Sequence, residues 1–153
     1  MKKETLKQLF KEEDKIHSSV RQIGELLLEL SDFSLAKSVL ELAKVQVVGK
    51  RLRNVCDNIS EHVHEARKKL GALMLHHTHV QFKKGDKSLH DMERELSLIH
   101  GNLESIGSIA EGFFESQDRK AAFANLNSAY NSLVQNVMSL LVDESSVKKV
   151  VLH

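Results

Sequence analysis

Residues 35–73 read LAKSVLELAKVQVVGKRLRNVCDNISEHVHEARKKLGAL, and their spacing decides the fold. Apolar residues fall at Leu35, Leu42, Val45, Leu52, Cys56, Ile59, Val63, Ala66, Leu70 and Leu73. From Leu42 onward the steps alternate between three and four residues, with Gly49 in the one weak slot. A repeat of about 3.5 residues belongs to a helix that presents one apolar seam to its neighbours. No proline interrupts it, because the chain has none. At about 1.5 Å per residue the helix runs for about 60 Å, so every other segment must pack along it.

The flanking segments repeat the pattern. A first helix over about residues 5–30 carries Leu6, Leu9, Ile16, Val20, Ile23, Leu27 and Leu30, widened by Phe10 and Leu26, with Glu13 breaking the stripe. Ser31-Asp32-Phe33-Ser34 ends it, and Asp32 or Ser34 can cap the next helix. So short a connection makes the two helices antiparallel neighbours. The second helix starts near residue 34. It either runs on to about residue 82, with Leu73, His77 and Val80 extending the stripe, or breaks near Gly71 into a short extra turn. After a lysine-rich loop, Ser88 and Asp91 have capping-box spacing. A third helix over 88–116 follows, with Leu89, Met92, Leu96, Ile99, Leu103, Ile106, Ala110 and Phe113 on its core side. Asp118 caps a fourth over 118–142, whose stripe is Phe123, Leu126, Tyr130, Leu133, Val137 and Leu140, and 143–153 reads as a tail. The predicted fold is all-α: a single antiparallel up-down-up-down four-helix bundle with a long second helix.

Bulk composition narrows the function classes. At 153 residues the chain can bury a core without disulfides or a structural metal. Its 22 basic and 21 acidic side chains nearly cancel, which gives no support for nucleic-acid binding. No window is long and apolar enough for a membrane span, and the N-terminal MKKETLKQLFKEEDK does not read as a secretory signal. A soluble, cytoplasmic protein is expected. The one cysteine, Cys56, lies on the seam as a small buried hydrophobe with no base beside it, and no nucleophile elbow or phosphate-cradling glycine loop occurs. No catalytic residue and no cofactor is expected, so the chain reads as a non-enzyme.

Two features remain. The first is a group of histidines, His62, His64, His76, His77 and His79, interleaved with Glu61 and Glu65. His62 and His64 stand about 200° apart around a helix and cannot share an ion, whereas His76 and His79, three apart, could. A metal-binding bundle, an enzyme or ion store using His76 and His79, is thus the alternative function. The second feature is a lack of charge. From Ala121 to Val142 there is no Asp, Glu, Lys, Arg or His. The non-core positions of the fourth helix include Asn125, Ser128, Ser132 and Asn136, and the third helix carries Gly101, Ser105, Ser108 and Gly112 opposite its stripe. A solvent-facing helix usually carries lysine and glutamate, which are better helix formers than asparagine or serine. These eight residues are the predicted interaction face, covered by a protein partner or by a second copy in a homo-oligomer.

The segment Val20 to Val63, centred on SDFSLAKSVLELAKVQVVGKRLRNV, resembles the first helical hairpin of PhoU-type phosphate-signalling domains. NLESIGSIAEGFF, from Asn102 to Phe114, is similar to that family's N-L-E-R-I-G-D-x-A helix. The resemblance covers about residues 6–114 and implies a bundle that regulates phosphate or ion transport through protein contacts. The family's acidic pair, E/D-x-x-x-D, falls on Glu104 and Ser108, and Lys44 and Gln46 stand where acids would be expected on the second helix. The family's metal binding is therefore not implied for this chain.

Overall fold

In the computed structural model of the chain, the second-helix stripe is buried from Val45 to Leu73. The structure describes residues 2–31, 39–76, 78–82, 88–113, 115, 118–140 and 147–152. The elements are α1 (Lys2–Ser31), α2 (Val39–Leu75), β1 (Thr78–Phe82), α3 (Leu89–Gly112), α4 (Arg119–Met138) and β2 (Val147–Leu152). α1 packs on α2, α2 on α3 and α3 on α4, and α4 closes the bundle against α1. The all-α four-helix architecture with a long second helix follows directly from the four stripes. Leu35, Asp32 and Ser34, placed on the second-helix seam or at its cap by sequence, lie outside the described residues.

Caps set the starts of α3 and α4. The Ser88 hydroxyl accepts from the Asp91 amide at 3.1 Å, while Asp91 Oδ2 accepts from the Ser88 amide at 2.9 Å. These two bonds satisfy orphan donors reciprocally in a capping box. Asp118 Oδ1 accepts from the Ala121 amide at 3.0 Å and opens α4 in the same way.

The core is one continuous cluster in which all four stripes meet. Glu13 does not interrupt the α1 stripe in space, since it is itself fully buried. Glycines fix two of the helix contacts. A methyl group at Gly49 would lie 2.9 Å from the Ala110 carbonyl oxygen, so the absence of a side chain lets α2 and α3 approach closely. One turn further along, Arg53 lies over Gly107 and points Nη1 towards Glu111 Oε2 at 3.8 Å. The order of these contacts along the two helices makes α2 and α3 antiparallel.

Four boundaries depart from the sequence reading. α2 passes through Gly71 without a break, yet ends at Leu75 rather than near 82. The next residues form β1, and 147–152, read as tail, form β2. They pair antiparallel from Thr78↔Leu152 to Phe82↔Val147, with an irregularity between Gln81 and Phe82. The physical reason lies in THVQF, where Thr78, Val80 and Phe82 alternate with His79 and Gln81. This is the two-residue period of a strand, rich in β-branched and aromatic residues. α3 and α4 are also shorter than expected, ending at Gly112 and Met138 rather than 116 and 142, although Phe113 and Leu140 beyond them stay in the core.

Candidate functional site

The outer face of α3 and α4 is built by the same periodicity that makes the core. On α4, Leu126, Leu133 and Val137 are buried, and Phe123 and Tyr130 are half-buried against the cluster. The Tyr130 ring occupies the space that a side chain at Gly24 of α1 would fill. The opposite side of the helix leaves Asn125, Ser128 and Ser132 exposed. Asn136 departs from the expectation of an outward face: it is half-buried, and its Nδ2 donates to Asn102 Oδ1 of α3 at 2.7 Å. It joins the two helices. At 100° per residue, this contact turns Asn125 and Ser132 towards the α3 side of α4.

On α3, Gly101, Ser105, Ser108 and Gly112 are all exposed. Among the described residues a methyl group at Gly101 or Gly112 would meet nothing within 4 Å, so close packing against them does not account for either glycine. Seven of the eight predicted residues thus lie exposed on two adjacent helices, and the eighth holds those helices together.

The α1–α2 and α2–α3 faces look different, because their charges are matched. His62 Nδ1 lies 2.7 Å from Glu12 Oε2, across α1 and α2. Arg67 donates from Nε and Nη2 to Glu93 Oε1 at 2.9 and 2.7 Å. Charge-assisted bonds between half-buried partners of this kind fix helix register. Sequence reading missed them, since they depend on which residues of separate helices share a level. Asp57, Glu61, His64, Glu65, His100 and Glu104 line a shallow groove between α2 and α3.

No group of three or more His, Cys, Asp or Glu among the described residues is arranged to hold a metal ion. The sequence-level pairing of His76 with His79 required one helix face, and that face does not exist: α2 ends at Leu75, and His79 belongs to β1. Cys56 is buried, and burial first, then the negative charge of Asp57, pushes its thiol up to about 12 against the partial opposition of Arg53. A thiol so raised is not a nucleophile near neutral pH.

A second exposed surface was not expected from sequence. Leu40 and Val47 of α2 are 68% and 56% exposed, and they line an open groove with Ala43, Lys44, Val48, Arg51 and Glu29 of α1. The available signal was that both residues are apolar yet stand off the seam. Among the described residues, no helix is long and apolar enough to cross a membrane. Comparison with protein-family models, with curated proteins and with solved structures returns no match.

Proposed function

We propose that this chain is a non-enzymatic helical regulatory module that acts through protein contacts. The α3–α4 outer face is its interface, and its setting is the cytoplasm, as a PhoU-like accessory of phosphate or ion transport. The observation that carries this reading is the uncharged outer side of α4, where Asn125, Ser128 and Ser132 are exposed on a helix without an acid or base from Ala121 onward. Asparagine and serine suit a helix interface, because they permit close approach and exchange neutral hydrogen bonds without desolvating an ion. The exposed Gly101 and Gly112 on α3 fit the same role, since neither is needed for packing against the described residues.

The simplest assembly is a two-fold dimer that pairs α4 with its symmetry mate or with the small-residue side of α3. Sedimentation velocity at tens of micromolar tests it. The parent chain should sediment as a dimer, and Asn125→Glu with Ser132→Glu should yield a monomer of unchanged helix content, because like charges would be buried face to face. A parent that is already monomeric overturns the self-association.

A further inference from the structure

The α2 groove has a chemistry of its own. Leu40, Ala43, Lys44, Val47 and Arg51 follow one another at helical spacing and form a stripe turned away from the buried Val45, Leu52 and Cys56. The groove has a volume of 490 Å³ and is walled on the other side by Glu29 of α1. Lys44, Lys50 and Arg51 are exposed and make no ion pair among the described residues. Further along the same helix, Arg53, Arg67 and Lys68 each have a carboxylate partner. Lys44 and Arg51, without an ion pair among the described residues, therefore border an exposed apolar floor.

We propose that this groove docks a short amphipathic helix of another protein, apolar on the side it buries and acidic along the flank that lies over α2. From Leu40 to Arg51 the floor is about 16 Å long, enough for three turns of a ligand helix. Leu40 and Val47 are two turns apart and match apolar anchors at i and i+7, the usual pattern of a helix laid in a groove. Lys44 and Arg51 receive the carboxylates of one flank. Glu29 across the groove repels acids on the other flank and so sets the orientation of the ligand.

A second copy of the chain fits less well. The groove offers it one carboxylate, Glu29, against two cations, Lys44 and Arg51, so a two-fold pairing leaves cations unmatched. An anionic bilayer also fits poorly, since it would meet Glu29 on the groove wall and a concave rather than a protruding apolar surface.

Fluorescence anisotropy of the full chain with a labelled synthetic helix tests the proposal. The probe has about 14 residues, with leucines at i, i+3, i+4 and i+7 and glutamates on one flank. Saturable binding is expected, weakened at least about tenfold by Val47→Glu and by Lys44→Glu with Arg51→Glu. The charge-reversed protein should prefer the same peptide with lysines in place of glutamates, which a folding defect could not produce. Asn125→Glu with Ser132→Glu should leave binding unchanged, so this surface and the α3–α4 face fail or stand separately. Four outcomes overturn the proposal: no saturation by about 1 mM peptide, equal binding by the groove variants, binding to phosphatidylserine vesicles instead of the peptide, or a dimer that Val47→Glu splits.

Discussion

Replacing Gly49 with alanine sets helix propensity against helix packing at one atom. Alanine is better than glycine in a helix interior by about 0.8–1 kcal/mol, so propensity alone predicts a more stable protein. The new methyl group would stand 2.9 Å from the Ala110 carbonyl oxygen. That is about half an ångström inside ordinary contact, and the obstacle is α3 backbone, which cannot rotate away. Relief requires α2 and α3 to part where Val45, Val48, Ala110 and Phe113 are buried. Overpacking of this kind costs about 1–3 kcal/mol. Gly71→Ala and Gly101→Ala serve as references, since a methyl at either position meets nothing within 4 Å. The propensity gain is common to all three variants, so their difference isolates the packing cost. Gly49→Ala should fall about 1–3 kcal/mol below the references in urea denaturation followed by circular dichroism. In a chain of this size that corresponds to about 2–4 °C of Tm per kcal/mol. If Gly49→Ala proves as stable as both references, the close approach of α2 and α3 is wrong.

Leu52→Ala and Ile59→Ala should each cost about 2–5 kcal/mol, because both side chains are fully buried on the α2 seam; less than about 1 kcal/mol for both in chemical denaturation would mean the seam is not packed. Cys56 gives a pH signature: its folded thiol stays protonated up to about 12, while the unfolded thiol ionises around its ordinary value of 9.0. The unfolded state therefore binds fewer protons between these values, and stability should fall as pH rises, by at most about 1.4 kcal/mol per pH unit. Cys56→Ala should flatten that slope, and an identical slope in parent and variant would show that the thiol is not the cause.

The helices were legible in the sequence because each stripe is a local signal that a 3.6-residue period carries without knowledge of the partner. Leu89 to Phe113 on the third helix, and the caps at Ser88 and Asp118, needed nothing from elsewhere in the chain. The ribbon was not legible in this way. THVQF can be read as a weakened helical stripe through His77 and Val80, and what makes it a strand is pairing with residues 147–152, far along the sequence. The uncharged outer side of α4 could be read as a lack of charge, and Asn125, Ser128 and Ser132 are exposed as that reading required. Asn136 could not be placed the same way, because its partner Asn102 depends on the relative level of α3 and α4. Leu40 and Val47 are illegible for a related reason: the seam's spacing identifies apolar residues on it and carries no information about those beside it.

The β1–β2 ribbon bears on the order in which the chain folds. Thr78 and Leu152 pair although α3 and α4 both lie between them in sequence. Closing so long a loop in an unordered chain is an entropic cost that two short strands recover poorly, since an isolated two-stranded ribbon is marginal in water. Contacts between successive helices close much shorter loops and form early for that reason. Once α2, α3 and α4 have docked, most of that entropy has already been lost to helix packing, and the strands need only order their own few residues. On these grounds ribbon pairing is expected to follow assembly of the bundle.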